Sequence, residues 1–144
     1  ITGEGFDLGA ETGGFADKVP DAGAVVTVTG LGRGDGGLTA LEIEHYTGMT
    51  EQSLAAIESE ARARWELRDV LIVHRVGELR PLDRIVLVAV TSAHRGEAFA
   101  ACEFIMDFLK TRAPFWKKEE TPTGARWVDA RTSDAAAAER WKTR

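Results

Sequence analysis

The amino-acid sequence predicts an α+β protein with a mixed or antiparallel sheet and two main helices. Strand-like and helix-like segments are interspersed along the 144 residues without the regular alternation that builds a parallel sheet. Hydrophobic residues make up 44% of the chain, which is enough for one substantial core at this length. We therefore expect residues 1–144 to form a single domain, in which residues 1–20 are an extended N-terminal segment.

The first half of the chain is predicted to contain two strands and a helix. Ala24–Thr29 is β-branched and alternates at its end, which is typical of a strand, and the glycine-rich run Gly30–Gly37 interrupts it. Extended structure resumes at Leu38–Tyr46. Met49–Leu67 carries apolar residues at helical spacing, and Thr50 is the candidate N-cap. The first main helix is therefore expected there.

Two apolar runs and the second main helix follow. Val70–Val76 and Ile85–Val90 are both β-branched and are predicted to be central strands of the sheet. A connection that contains glycine and proline separates them and forbids one continuous strand. The second helix is predicted over Ala93–Arg112, and Pro114 prevents it from continuing.

The C-terminal part is predicted to form a strand pair and a last helix. Trp116–Glu120 and Arg126–Asp129 flank Pro122-Thr-Gly124, a sequence that is typical of a tight turn. Ser133–Trp141 has the composition of a capped terminal helix.

Composition excludes several classes of function. The chain has 18 Lys+Arg against 23 Asp+Glu, a net charge of -5, so it lacks the basic surface that extended nucleic-acid binding requires. It has no apolar run of the roughly 18 residues that a membrane-spanning helix needs. Its first residues include acidic side chains, whereas a secretory signal peptide begins with basic ones. Its single cysteine, Cys102, offers neither an internal disulfide nor a zinc site. We expect a soluble, cytoplasmic protein without metal or cofactor.

Cationic side chains border the apolar face of the second helix. At about 100 degrees per residue, Arg95 and Lys110 both fall on or beside that face. Because the whole chain is acidic, bulk charge does not explain a local basic cluster, and we expect a pocket for one specific anion. The alternative is that each side chain snorkels from the edge of the core.

The spacing of these two cations predicts a dimer. Fifteen residues separate Arg95 from Lys110, and at 1.5 Å rise per residue the helix spans roughly 22 Å between them. That distance is too long for both to hold one small molecule. If both act in one pocket, they come from different chains.

Two lysines follow an aromatic pair just after the proline. Lys117 and Lys118 come directly after Phe115-Trp116, and two aromatic rings can form a pocket wall of low dielectric that lowers the pKa of a lysine. Such a lysine can transfer protons. For Lys118 an exposed basic turn is an equally good interpretation.

Arg33 lies in a segment that formally matches a dinucleotide-binding loop. Gly32-Arg-Gly34-Asp-Gly36-Gly37 contains G-x-G-x-x-G after a strand, but an extended pattern rather than a helix follows, so that interpretation fails. The flanking glycines allow the guanidinium of Arg33 to bind a phosphate closely. A solvated loop arginine is the alternative.

The histidines and the cysteine have less specific patterns. His94 is expected at the N-terminus of the second helix, where it either adds a donor to an anion site or merely caps the helix. His45 and His74 fall in predicted strands and are expected to be satisfied core or edge residues. Cys102 falls within the apolar face of the second helix, which favours a buried small hydrophobe over a nucleophile.

Several motifs together resemble one known family. They are Gly-Ala-Val-Val-Thr-Val-Thr-Gly at 23–30, Leu-Glu-Ile-Glu-His-Tyr at 41–46, His-Arg-Val-Gly-Glu-Leu at 74–79, Thr-Ser-Ala-His-Arg at 91–95, and Ile-Met-Asp-Phe-Leu-Lys-Thr-Arg-Ala-Pro-Phe-Trp-Lys-Lys-Glu at 105–119. This combination resembles the large, catalytic subunit of molybdopterin synthase. The resemblance implies an α/β-hammerhead type of α+β fold and a homodimer with a small ubiquitin-like subunit on each protomer.

The resemblance also implies a reaction and its residues. In that family the small subunit delivers sulfur as a C-terminal Gly-Gly thiocarboxylate, and two sulfur transfers convert cyclic pyranopterin monophosphate into molybdopterin. Lys110 and Lys117 are then the catalytic lysines. The residues implied to bind substrate are Arg33, His94, Arg95, Lys118, Glu119 and, from the dimer mate, Arg131. The alternative function is a non-catalytic module that binds an anionic metabolite or a partner's C-terminal carboxylate.

Overall fold

The computed structural model describes residues 1–15, 20–33, 39–128 and 132–143, and within them it shows an α+β fold, as predicted. The strands are β1 (Ala24–Leu31), β2 (Ala40–His45), β3 (Leu67–His74), β4 (Gly77–Leu79), β5 (Arg84–Ser92), β6 (Phe115–Thr121) and β7 (Gly124–Val128). The helices are α1 (Leu8–Gly13), α2 (Met49–Arg64), α3 (Arg95–Thr111) and α4 (Thr132–Glu139), followed by a 3-10 turn, Arg140–Thr143.

Three strands form an antiparallel sheet in the order β1-β5-β3. Strand β5 is central, as predicted from its apolar run, and every residue from Ile85 to Ser92 is buried. The prediction that Val70–Val76 is also central was wrong. The strand that contains Val70 is an edge strand of this sheet, and its residues are mostly half-buried because only β5 pairs with it.

The second antiparallel sheet has the order β4-β2-β6-β7. The predicted strand pair near the C-terminus is confirmed as the β6–β7 hairpin, in which Lys117 lies opposite Val128 and Glu119 opposite Arg126. Gly124 closes its turn with φ of 139°, a backbone conformation that residues with a Cβ rarely adopt. Because side chains alternate along a strand, Lys117 and Glu119 share one face of β6.

Helix α2 begins differently from the prediction. The N-cap is Gly48, with φ of 85°, rather than Thr50. Thr50 instead lies in the first turn and is fully buried, where its hydroxyl accepts a hydrogen bond from the Tyr46 amide at 3.1 Å and donates one to the Pro114 carbonyl at 3.0 Å. The tight turn required by the Tyr46–Thr50 bond places the positive φ at the glycine. Thr50 therefore ties the start of α2 to the start of β6.

Helix α3 packs its apolar face on the three-stranded sheet. His94 is the N-cap residue, as expected, although its side chain makes no capping hydrogen bond. Cys102 is 1% exposed, and burial raises the pKa of its thiol to about 11. A thiol in this environment is protonated at neutral pH, so the prediction of a buried small hydrophobe is confirmed. No helix in the described ranges is long and apolar enough to cross a membrane.

The C-terminal segment closes the core beside α3. Trp141, 2% exposed, packs edge-on against Trp65 at 5.6 Å and Phe104 at 5.4 Å between ring centroids. Its indole N–H donates to the Asp107 carboxylate on α3 at 2.6 Å. The predicted terminal helix is thus present, but its last turn is the 3-10 turn because Trp141 must reach into the core.

The N-terminal segment is not wholly extended. Residues 8–13 form the short helix α1, in which the Asp7 carboxylate accepts a hydrogen bond from the Ala10 amide at 3.0 Å. The Thr2 amide donates to the His74 carbonyl at 2.9 Å, which fastens this segment beside β3. The assignment of residues 1–144 to a single domain stays a prediction.

We expect Trp141→Ala to lower the free energy of unfolding by about 3–5 kcal/mol, because it leaves a large cavity and removes the donor to Asp107. Phe99→Ala is the matched control, since Phe99 lies on α3 but is 61% exposed, and it should cost less than about 1 kcal/mol. Urea unfolding followed by far-UV circular dichroism measures both. Equal losses for the two variants would show that Trp141 is not part of the core.

Candidate active site

A cavity of about 470 Å³ lies between the C-terminal half of α3, the inner face of the four-stranded sheet and the end of β1. This volume suits a small-molecule ligand. Apolar side chains form part of its wall, including Met106 and Leu109 from α3 and Phe115 from β6. Charged groups from four different elements and one loop complete it.

Four residues that the sequence singled out line this one cavity. They are Arg33, Lys110, Lys117 and Glu119. These four residues bring three cations and one carboxylate to the cavity, although the whole chain is acidic. Arg126 from β7 also lines it and pairs with Glu119 at 3.4 Å. The excess of positive charge suits an anionic ligand.

The two lysines meet because a short turn joins their elements. Lys110 lies in the last turn of α3, and Pro114 prevents that helix from running on. Strand β6 starts at Phe115, directly after the turn. Lys117, seven residues after Lys110, therefore lines the same cavity. In β6, residues 115, 117 and 119 face the cavity, as the alternation of a strand requires.

The loop after β1 brings Arg33 to the cavity. The register of β1 with β5 shifts between Gly30 and Leu31, and a Cβ at Gly30 would approach a Val86 methyl group to 2.7 Å. Glycine is thus needed for the two strands to pack closely here. After the loop the chain enters strand β2 rather than a helix, which confirms that the dinucleotide-binding interpretation does not apply.

Other predicted site residues do not reach this cavity within one chain. His94 and Arg95 are exposed at the opposite end of α3 from Lys110, roughly 22 Å away along the helix. Lys118 points to the outer face of β6, where its ammonium lies 5.8 Å from the ring centroid of Trp127. Arg131 falls outside the described residues. The roles assigned to these four residues stay predictions.

The predicted aromatic wall is only half correct. Phe115 lines the cavity, but Trp116 lies on the outer face of β6, 49% exposed, because neighbouring residues of a strand point to opposite sides. There it packs edge-on against Tyr46 and Trp127, with centroid distances of 5.8 and 6.3 Å. One aromatic ring and one lysine of this run therefore belong to the cavity.

His74 lines the cavity, which the sequence analysis did not foresee. It is buried and hydrogen bonded, as expected for a core residue, with Nδ1 2.8 Å from the Arg75 carbonyl oxygen. Its ring stacks on Phe115 with centroids 3.8 Å apart. A polar residue directly after the apolar run Val70–Val73 was the available signal. His45, by contrast, is a partly exposed residue at the end of the inner strand β2, 3.4 Å from Glu51.

Burial and charge together keep the His74 ring neutral. Burial lowers its pKa from 6.5 to about 4, and the positive charges of Lys117 and Lys110 act in the same direction. The hydrogen bond to the Arg75 carbonyl opposes this shift. The ring therefore contributes a neutral polar group to a cationic cavity. Among the described residues, no cluster of His, Cys, Asp and Glu could hold a metal ion.

The fold and the cavity define an α+β protein with a cationic, lysine-containing pocket for a small anion. The family described as "MoaE protein" matches residues 1–112, and the chain belongs to this family. The resemblance inferred from the sequence motifs is thereby confirmed.

Individual relatives agree with this assignment. A protein from Ralstonia nicotianae named molybdopterin synthase catalytic subunit is 60% identical over 139 residues, covering 94% of this chain and 79% of that protein. The protein of the same name from Escherichia coli is 58% identical over 140 residues, covering 94% and 92%. A solved structure described as molybdopterin biosynthesis MoaE protein from Burkholderia ambifaria has a TM-score of 0.86 at 54% identity, covering 99% and 95%.

We expect the stability of the protein to fall as pH drops from about 6.5 to 4, in part because of His74. The pKa of this group is lower in the folded chain than in the unfolded chain, so the unfolded chain takes up the proton first and gains stability. This difference is worth about 2–3 kcal/mol near pH 4.5.

His74→Phe keeps a ring against Phe115 but cannot titrate. Its unfolding free energy, measured by urea denaturation at pH 7 and pH 4.5, should therefore fall less than that of the parent chain. Equal losses in both proteins would mean that His74 does not carry the effect.

Proposed function

We propose that this chain is the catalytic subunit of a molybdopterin synthase. It transfers sulfur from the thiocarboxylated C-terminus of a small ubiquitin-like subunit to cyclic pyranopterin monophosphate, and it acts as a homodimer that binds two small subunits. The observation that carries this proposal is the convergence of Lys110 and Lys117 on one cavity in a chain of the MoaE family. The relatives' name, which calls them catalytic subunits, supports the need for a second subunit.

The charges of the cavity suit both reactants. The substrate carries a phosphate, and the small subunit presents a negatively charged thiocarboxylate, so each brings an anion to a cavity lined by four cations and two carboxylates. Arg33 offers a bidentate donor pair for phosphate oxygens. The apolar wall of Met106 and Leu109 reduces water access and strengthens these interactions.

The two lysines have roles that simple binding does not require. In the first step the thiocarboxylate sulfur bonds to a carbon of the substrate, and an oxygen leaving group departs from that carbon and takes up a proton. Water then cleaves the acyl–sulfur bond, which leaves the sulfur on the substrate and a carboxylate on the carrier. Negative charge develops on the departing oxygen in the first step and on the acyl oxygen in the second. Lys110 and Lys117 stabilise that charge and transfer protons. Within the described part of the chain Lys110 forms no hydrogen bond or ion pair, which leaves its ammonium available to the carrier's C-terminus.

The distant cations on α3 act in the cavity of the other protomer. His94 and Arg95 are exposed at the N-terminus of α3, too far from Lys110 to meet the same small ligand within one chain. A homodimer that brings this helix end to the partner's cavity supplies the missing phosphate contacts. Arg131 is proposed to reach the cavity from the same partner, while Glu119 lines it in cis.

We expect Lys110→Ala and Lys117→Ala each to slow dithiolene formation at least about a hundredfold, the range typical of groups that transfer protons or stabilise charge in the transition state. The assay mixes the chain with the thiocarboxylated small subunit and cyclic pyranopterin monophosphate and measures molybdopterin. Lys142→Ala, which changes an exposed lysine paired with Glu139, is the matched control and should keep parental activity.

Lys110→Arg separates catalysis from binding because it keeps the positive charge but is not expected to exchange protons. Loss of activity with retained binding of the small subunit supports the catalytic role. Near-parental turnover of the alanine variants would favour the alternative, a non-catalytic binding module.

Mixed dimers test whether the site is shared between protomers. We expect Lys110→Ala and Arg95→Ala to be at least about tenfold impaired as separate homodimers. After subunits are exchanged, half of the dimers are mixed, and each mixed dimer has one intact site, so about a quarter of parental activity should return. If both homodimers are impaired and no activity returns although the subunits have exchanged, Arg95 acts within its own chain.

A further inference from the structure

We propose that Asp83 is a positioning residue for Arg33. It closes the turn Arg80–Asp83, which holds the backbone of Gly32 by two hydrogen bonds and thereby presents the next residue, Arg33, to the phosphate of the substrate. The inference rests on the proposed function, because that function assigns Arg33 to the phosphate. Asp83 is not among the residues that line the cavity, so it acts through the backbone.

Two hydrogen bonds join Gly32 to the turn. The Leu82 amide donates to the Gly32 carbonyl at 2.7 Å, and the Gly32 amide donates to the Asp83 carbonyl at 3.0 Å. Gly32 is buried and lines the cavity together with Arg33. A Cβ on Gly32 would lie 3.3 Å from the Arg80 carbonyl oxygen, so the two segments are also closely packed. The backbone directly before Arg33 is thus fixed on the turn.

The Asp83 side chain closes this turn and links it to the central strand. Its carboxylate accepts a hydrogen bond from the Arg80 amide at 2.8 Å, and its own amide donates to the Arg80 carbonyl at 3.1 Å. The same carboxylate lies 3.7 Å from the guanidinium of Arg75, whose amide donates to the Ile85 carbonyl in β5 at 2.8 Å. An aspartate that bonds the backbone of its own turn restricts the conformations of that turn.

The backbone of Leu82 indicates that the turn is held in one conformation. Its φ of 69° lies in the left-handed region, which costs energy for a residue with a Cβ. Its side chain is 70% exposed, so side-chain burial does not select this conformation. The hydrogen bonds to Gly32 and the closure by Asp83 are the contacts that offset the cost. The turn is therefore a rigid support for the segment that ends at Arg33.

A rigid support matters for an arginine that binds phosphate. Ordering a long side chain together with its backbone costs conformational entropy, and a backbone that is already fixed lowers that cost. The guanidinium of Arg33 then makes its bidentate contact with phosphate oxygens at a smaller loss of entropy. A contact made equally in the bound substrate and in the transition state tightens binding without raising kcat. We therefore expect Asp83 to affect the affinity for the substrate.

Two substitutions of Asp83 separate closure of the turn from charge. Asp83→Asn removes the charge beside Arg75 but keeps an oxygen that accepts from the Arg80 amide, whereas Asp83→Ala removes both. Isothermal titration with cyclic pyranopterin monophosphate measures the Kd of each chain. We expect Asp83→Ala to raise Kd at least about fivefold and Asp83→Asn to stay within about twofold of the parent. In both variants kcat for dithiolene formation should change less than about twofold.

Asp21→Ala is the matched control. The Asp21 carboxylate also accepts a hydrogen bond from an arginine, Arg68 Nε at 2.9 Å, but neither residue lines the cavity. An exposed ion pair of this kind contributes little to stability, so Kd should stay within about twofold of the parent. Thermal unfolding of each variant gives the folded fraction that corrects the protein concentration.

The variant Arg33→Ala decides whether Asp83 acts through Arg33. Arg33→Ala alone should raise Kd at least about fivefold, and in that background Asp83→Ala should add less than about twofold. A purely structural role predicts an unchanged Kd per folded molecule, an equal rise in Asp83→Asn and Asp83→Ala, or losses that multiply in the double variant. Any of these results overturns the proposal.

Hydrogen exchange of the Gly32 amide tests the support without any substrate. Asp83→Ala should speed this exchange at least about tenfold, whereas Asp83→Asn should leave it close to the parental rate. An exchange rate that does not respond to Asp83→Ala overturns the proposal. A parent chain that binds the substrate but makes no dithiolene overturns the proposed function, while the Kd ratios still decide the role of Asp83. A parent chain that does not bind the substrate overturns both.

Discussion

The break between helix α3 and strand β6 is the constraint on which the rest of the site depends. Pro114 prevents the helix from continuing, and the buried hydroxyl of Thr50 holds the Pro114 carbonyl at 3.0 Å. The chain is thereby forced to reverse directly into β6, which pairs with β2 in the adjoining sheet. One short turn thus places a lysine from a helix C-terminus and a lysine from a strand against the same cavity.

Concentrating cations in one cavity costs stability, and the surrounding structure reduces that cost. Glu119 lies among the cations and pairs with Arg126 at 3.4 Å, while the imidazole of His74 stays neutral because it is buried beside two lysines. The remaining positive charge is compensated when an anionic ligand binds, since charges of opposite sign attract strongly where water is partly excluded. The excess positive charge therefore favours the binding of anionic ligands and does not stabilise the fold.

Much of the fold was predictable because local patterns agree with the tertiary structure. The apolar run at Ile85–Val90, the helix over most of Ala93–Arg112 and the hairpin around Gly124 all appear where their residue patterns predicted them. The failures have a common cause. The edge position of β3 and the burial of Thr50 against Pro114 depend on which distant segments come together, and this information is absent from a local window.

The site was predictable in its residue types and less so in its geometry. Spacing identified Lys110 and Lys117, but the alternation of β6, which sends Lys118 and Trp116 to the outer face, requires knowing that this run is a strand. His74 escaped notice because the ring that it stacks on, Phe115, and the two cavity lysines, Lys110 and Lys117, are all distant from it in the sequence. A crystal structure of the chain with its small subunit is the most direct test of the central claim. The account predicts the subunit's C-terminal carboxylate about 3 Å from the ammonium of Lys110 or Lys117. A C-terminus bound instead on the outer aromatic face of Tyr46, Trp116 and Trp127 would contradict it.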